Sequence, residues 1–278
     1  MIVKKIAKEF KGFYKDLMFD LSSKNNSLYI GFYKYLYKPS KGSLSHFLDE
    51  YSKSNKGLTV VQVGANDGFN HDPIHKFVKR DKWKGVLIEP QKYIFENFLY
   101  KLHQHTDEVV PLNAAMGEED GEMPLYKISF TNERWATGLA TFHKPTLENA
   151  VKNGTIKRRA LKNGVTPPAS EADYISEEMV AVVSPGTLRT QYHIDHLDLL
   201  MVDTEGYDFE IIKMFVGAEM IPDVMVFEYN HLSEVDLESC KDFLKDRDYS
   251  FVVKGTNMLA VKQGTGAAAI YKPGIVIR

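Results

Sequence analysis

Along the chain, short apolar runs alternate with longer stretches in which apolar positions recur every three or four residues. The runs at 58–64, 85–89, 109–115, 197–204 and 223–229 are dominated by β-branched and aliphatic residues, the composition of strands covered on both faces. Helical periods follow most of them. In Asp208-Phe-Glu-Ile-Ile-Lys-Met-Phe215, for example, Phe209, Ile212 and Phe215 fall on one side, and Asp208 and Glu210 sit near the positive amino end. Such alternation predicts a parallel sheet with helices on both faces. After a helix at 236–246, the strands Tyr249–Lys254 and Met258–Val261 are separated only by Gly255-Thr-Asn257. That link is too short for a crossover helix, so the two strands must pair antiparallel. The expected fold is α/β, with a central, mostly parallel sheet of seven strands closed by an antiparallel carboxyl-terminal hairpin.

Some segments lie outside this pattern. Residues 1–50 read as a helical appendage with an aromatic cluster at Phe32, Tyr33, Tyr35 and Tyr37, followed by a main domain over 51–263 and a tail over 264–278. Glu122–Ser129 resembles an extra strand. Residues 131–185 form a polar, Gly/Pro-punctuated insertion, and insertions of that length in a compact domain are usually functional or mobile. Within it, Lys157, Arg158, Arg159 and Lys162 read as a solvated helix face.

Composition narrows the partners. The 278 residues are 44% hydrophobic, enough for a proper core, and the net charge of −2 provides no global field for nucleic acid. The single cysteine, Cys240, excludes an internal disulfide and is compatible with a cytoplasmic location. No window reaches the roughly 18 uninterrupted apolar residues of a transmembrane span. At the amino terminus, Ile2, Ile6, Phe10, Phe13 and Leu17 interleave with Lys4, Lys5, Lys8, Lys11 and Lys15. That is a basic amphipathic helix and not a signal-peptide core. It would pack on the domain or on a second subunit of a homo-oligomer, or make peripheral contact with an anionic membrane.

The candidate chemistry begins at Val63-Gly-Ala-Asn-Asp-Gly68, where a strand breaks into a turn bounded by Gly64 and Gly68. Both can take positive φ and lack a Cβ, so a ligand could approach the backbone and meet N–H groups at a following helix start. Twenty-one residues past Gly68, the strand Gly85-Val-Leu-Ile-Glu-Pro90 ends in Glu89, the position that holds a ribose diol in doubly wound nucleotide-binding folds. A nicotinamide oxidoreductase would use the same parts. Asn66, however, replaces the second glycine of the dinucleotide fingerprint and would crowd a pyrophosphate.

A second constellation lies at Leu197-Asp-Leu-Leu-Met-Val-Asp-Thr-Glu-Gly-Tyr-Asp208. Asp203 and Glu205 share one face of a strand's carboxyl end, at the edge where open α/β sheets bind ligands. Three roles are open to them: holding a cofactor's ammonium, deprotonating an acceptor hydroxyl, or binding a divalent cation. The next strand adds Phe227-Glu-Tyr-Asn-His231. Imidazole exchanges protons near neutral pH, so His231 is the first choice for general base. Asp203, Glu205 and Glu228 could also make an oxygen site for Mg²⁺, although a metal-free site is favoured.

Together, Val63–Gly68 with Asp72-Pro73-Ile74, Ile88-Glu-Pro90, Leu112-Asn-Ala-Ala115 and Val202–Asp208 resemble the FkbM family of S-adenosylmethionine-dependent methyltransferases, over roughly 57 to 262. The resemblance implies a Rossmann-like class I fold and O-methylation of a hydroxyl on a sugar, glycan or secondary metabolite. It places Gly64, Asn66, Asp67 and Gly68 near the cofactor's methionine and ribose, Glu89 on the ribose hydroxyls, and Asn113 and Ala114 near the adenine. Asp203 is shared between cofactor and catalysis, with Glu205 and His231 catalytic. The insertion, with Arg134, Trp135, Thr137, Gly138 and His143, would form a lid over the acceptor, with Trp135, His143 and Glu228 as substrate contacts. A non-catalytic glycan-binding or assembly module on the same fold is the alternative.

Overall fold

The computed structural model describes residues 2–106 and 108–271; within 2–23, the side chains of 2–9 and 11 are not described. The expected lysine face at Lys4, Lys5, Lys8 and Lys11, and the last seven residues of the tail, therefore lie outside the described parts.

Among the described residues there are ten strands: β1 (Thr59–Val63), β2 (Lys84–Ile88), β3 (Val109–Leu112), β4 (Ala115–Met116), β5 (Gly121–Ile128), β6 (Ile175–Val183), β7 (Leu199–Val202), β8 (Val224–Glu228), β9 (Tyr249–Lys254) and β10 (Asn257–Lys262). Seven form the central sheet in the order β3-β2-β1-β7-β8-β10-β9. The first five are parallel, and β10 runs antiparallel to both β8 and β9. The α/β class, the mostly parallel seven-stranded sheet and the closing hairpin are as expected.

Successive residues of each strand enter opposite layers of core. Val61, Val63, Ile88, Leu200, Val202, Met225 and Phe227 pack in one layer with residues of the helices at 185–191, 208–217 and 234–245. Val60, Leu87, Leu199, Met201, Val224 and Val226 pack in the other with the helices at 44–54 and 75–81. Helix 44–54 buries Leu44, Phe47, Leu48 and Tyr51. Ala267 and Tyr271 of the tail enter the same layer.

The insertion departs from expectation. Residues 175–183 are strand β6, which pairs antiparallel with all of β5 and parallel with β4 in a separate three-stranded sheet. Its buried positions, Val180 and Val182, alternate with exposed Met179 and Ala181, so the sequence reads as polar although one face is packed. The segment also holds α-helices at 134–137, 144–152 and 155–162 and a 3-10 turn at 171–173, around Leu147, Val151, Ile156 and Tyr174. No helix of the described residues is long and apolar enough to cross a membrane.

Strand order positions the site. From β1 the chain crosses towards β2, and from β7 it crosses in the opposite direction towards β8. The carboxyl ends of β1 and β7 thus flank the point where the winding reverses, which opens a crevice.

Candidate active site

At the end of β1, Gly64, Asn66 and Gly68 all have positive φ (79°, 50° and 66°). The N–H groups of Gly64 and Ala65 both donate to the Ile88 carbonyl at 3.0 and 2.9 Å, which ties this turn to the tip of β2. The glycines are required by protein packing. A Cβ on Gly64 would fall on the Asp203 carbonyl, and one on Gly68 would lie 2.7 Å from Leu99 Cδ1. On the side where a Cβ would stand, both glycines therefore face protein atoms. The expected free N–H groups are also taken. Asp67 Oδ1 accepts from Phe69 and Asn70, and Asp72 Oδ1 accepts from Ile74 and His75 at the helix start. Little N–H capacity is left for a phosphate.

Glu89 is buried, and its carboxylate spans the loop. Oε2 accepts from Asn66 N and Oε1 from Gln91 N, each at 2.9 Å. Burial pushes this carboxyl up to about 7, against the pull of those two N–H groups. Asn113, at the tip of β3, donates from Nδ2 to the carbonyls of Glu89 (2.9 Å) and Pro90 (3.0 Å), and Ala114 beside it is buried. The three strand tips β1, β2 and β3 are therefore stitched together around one carboxylate.

The other half of the crevice is built differently. Asp208 is fully buried and accepts from Thr204 N and Oγ1, Gly206 N and Glu228 N, over 2.9–3.4 Å. It locks the tip of β7 to the tip of β8 and fixes the loop in which Glu205 takes a positive φ of 54°. Sequence reading treats Asp208 as the start of a helix. Its bracing role depends on donors from two strands, which no local pattern reveals.

From the loop after β8, the His231 ring approaches two carboxylates, with Nε2 3.4 Å from Glu205 Oε2 and 3.7 Å from Glu228 Oε2. These three residues each bring a ligand-capable atom within 4.8 Å of the others. The oxygen set considered for Mg²⁺, namely Asp203, Glu205 and Glu228, does not close in this way; His231 takes the place of Asp203. A ring nitrogen suits the hard Mg²⁺ ion poorly. Asp203 remains open to solvent, yet burial pushes its carboxyl up to about 7, reinforced by the charges of Glu228, Asp208 and Glu205. Glu205 is likewise raised by burial, with His231 opposing; Glu228 adds to the rise, and Arg159 of the insertion draws it back. Arg159, read from sequence as part of a solvated face, is exposed.

Other insertion residues divide. Arg134 reaches the glycine turn, with Nη1 3.5 Å from Asp67 Oδ2 and Nη2 3.3 Å from Asn70 O. Ala136 and Thr137 share a small recess with Gln91 and Tyr93, beyond the tip of β2. Trp135 instead stays within the insertion, packed on Phe130 and donating to Glu133, and exposed His143 pairs with Thr146. Neither shares a hydrogen bond, ion pair or ring contact with the described crevice residues. A cavity of about 440 Å³ opens elsewhere, between Tyr126, Lys144, Glu148 and Glu177. It includes none of the strand-end carboxylates, so the crevice remains the candidate.

The sequence model of the methyltransferase FkbM domain matches residues 62–251. No curated protein matches the chain. Among solved structures, the methyltransferase FkbM from Methylobacillus flagellatus KT is similar, with 13% identity and a TM-score of 0.44 over 89% of this chain and 59% of that one. The METTL16 MTase domain has 10% identity and a TM-score of 0.39, over 78% of this chain and 65% of that one. A precorrin-6y C5,15-methyltransferase from Geobacter metallireducens GS-15 has 13% identity and a TM-score of 0.36, over 81% and 94%. The chain spans less than two thirds of the first two, and likeness at this level identifies neither substrate nor activity.

Proposed function

The chain belongs to the methyltransferase FkbM domain family, and from that premise we propose that it transfers a methyl group from S-adenosylmethionine to a hydroxyl of a sugar, glycan or secondary metabolite. The observation that carries the O-methyl reading is His231, held at the crevice rim between Glu205 and Glu228.

The donor set of the crevice fits this cofactor. S-adenosylmethionine has ribose hydroxyls and an ammonium but no phosphate, so it calls for acceptor oxygens more than for free N–H groups. Each Glu89 oxygen accepts one N–H and retains a lone pair for a hydroxyl. The Asp203 carboxylate accepts no hydrogen bond from the described residues and lies in a concentration of negative charge that an ammonium would offset. On this reading Gly64, Asn66, Asp67 and Gly68 shape the methionine and ribose end, Glu89 takes the ribose, and Asn113 and Ala114 border the adenine. When bound, the cofactor supplies an electrophilic methyl on a sulfonium.

The residues of the chain then handle the acceptor. With His231 Nε2–H directed to Glu205, the neutral ring carries its lone pair on Nδ1. Nδ1 takes the hydroxyl proton as the new carbon–oxygen bond forms, and Glu205 and Glu228 stabilise the resulting imidazolium. A base so placed contributes about 10²–10⁴-fold. Arg134, bridging the insertion to Asp67, anchors the insertion over the same edge as a lid.

His231→Ala is expected to lower methyl transfer by about 10²–10⁴-fold while S-adenosylhomocysteine binding, followed by calorimetry, persists. Near-normal turnover would remove His231 as the base. NAD⁺ binding in place of S-adenosylhomocysteine would overturn the methyltransferase reading itself. Activity lost to a chelator and restored by a divalent cation would reassign Glu205, Glu228 and His231 to metal binding.

A further inference from the structure

We infer that the amino-terminal segment docks this protein onto an anionic lipid surface. Among the described side chains of helix 2–23, those before Met18 are exposed and those after it make the contacts with the domain. The helix's carboxyl half is pinned where Phe19 meets the rings of Phe69 and Phe98 edge-on at 5.6 and 6.2 Å and Ser22 Oγ lies 3.0 Å from His75 Nε2. Just beyond the helix, Asn25 donates to the His105 carbonyl at 2.6 Å. The stretch before it projects: every described side chain from Phe10 to Leu17 is exposed.

What projects is apolar on one face. Phe10, Phe13, Tyr14 and Leu17 are spaced i, i+3, i+4 and i+7 and are 69, 65, 53 and 41% exposed. The following helical turns at 27–36 add Leu28, Phe32, Tyr35 and Leu36, at 81, 49, 73 and 70%. Single exposed apolar residues are ordinary on a soluble protein. Eight large ones within 10–36 amount to an apolar patch that calls for a partner.

Charge selects the partner. Residues 1–41 contain nine lysines against three acidic residues, a net +6, whereas the whole chain carries −2, which leaves −8 on the remainder. Of the lysines before residue 20, Lys15 has a described side chain, and it is exposed. Lys34 lies over the ring of Tyr35. Protein interfaces are depleted in lysine, whereas helices lying in a bilayer interface combine an aromatic and aliphatic face with a lysine-rich one. Anionic lipid therefore fits better than a second copy of the chain. Phe69 follows the glycine turn directly, and about 14 Å of helix separates Phe19 from Phe10. Docking thus holds the crevice edge close to the bilayer.

The test is co-sedimentation of the full chain with vesicles of phosphatidylcholine alone or of equal parts phosphatidylcholine and phosphatidylglycerol. Binding is expected to the second only, and to weaken as salt rises from about 0.1 to about 0.5 M. The triple variant Phe13→Ser, Leu17→Ser, Leu36→Ser alters only exposed positions and is expected to lower partitioning at least about tenfold with an unchanged circular dichroism spectrum. Lys15→Gln and Lys34→Gln should each cost about fivefold. No vesicle binding, or binding indifferent to lipid charge and to these substitutions, would overturn the inference. So would a concentration-dependent dimer, without vesicle binding, that the triple variant abolishes; that outcome would assign the face to a second copy.

Discussion

The two halves of the crevice use the same residue type in opposite ways. Around the glycine turn, Glu89 is buried and both its oxygens are engaged by backbone N–H groups, so the carboxylate acts as a clamp between strand tips. Across the crevice, Asp203 and Glu205 follow β7 and Glu228 ends the neighbouring β8. Among the described residues, His231, which is charged only when protonated, pairs with Glu205 and Glu228. In the first half, each carboxylate oxygen is held by a backbone N–H. The second bears a charge concentration that the fold alone does not balance, as expected where a cation or a transferred proton must be received. Asp208 adds to that charge while it ties the two strand tips together.

If the clamp half is structural, damage there should appear first as lost stability. Gly64→Ala is the severest case, because it adds a Cβ against the Asp203 carbonyl at a residue with φ of 79°. A loss of about 3–5 kcal/mol is expected in denaturant melts; a loss under about 1 kcal/mol would show that β1 and β7 separate easily at their tips. Glu89→Ala should be milder, at about 1–3 kcal/mol, since it leaves the N–H groups of Asn66 and Gln91 without their acceptor. The same variant should weaken S-adenosylhomocysteine binding at least about tenfold. Unchanged affinity would remove Glu89 from the ribose.

The sheet was legible because its central strands are covered on both faces, so their sequences are apolar almost without interruption. The hairpin was legible from the length of its loop. β6 was not: Ile175-Ser-Glu-Glu-Met-Val-Ala-Val-Val183 mixes charges into a strand with one wet face, and its partner β5 begins more than 50 residues upstream. At the candidate site, the residue types stood out, but their relations did not. The glycines announced a turn, whereas the reason they must be glycines lies in Asp203 and Leu99, on other elements. The His231–Glu205 approach joins two loops and follows from strand order, not from spacing. Trp135 and His143 were chosen by residue type, which says nothing about where a side chain is directed.

The charged half makes the opposite prediction, and its sign can be worked out. Asp203 is pushed up to about 7, above the ordinary aspartate value near 3.9, so the folded protein holds this proton more tightly than the unfolded chain does. The penalty is absent below about pH 4, grows as pH rises and is complete above about pH 7. Asp203→Asn removes it. The variant should be more stable than its parent at pH 8, by on the order of 1 kcal/mol because solvent still reaches the side chain and screens the effect. The two should converge towards pH 4. Buried His75, lowered to about 3, and His103, lowered as well, tilt the background the other way, because both are held neutral by burial. Stability they support is lost as pH falls below about 6.5. That loss is common to parent and variant and cancels in their difference. S-adenosylhomocysteine should then close the gap at pH 8, because its ammonium would offset the charge only in the parent. Equal stability at pH 5 and pH 8, with or without the ligand, would show that Asp203 bears no such charge burden and would leave the two halves of the crevice alike.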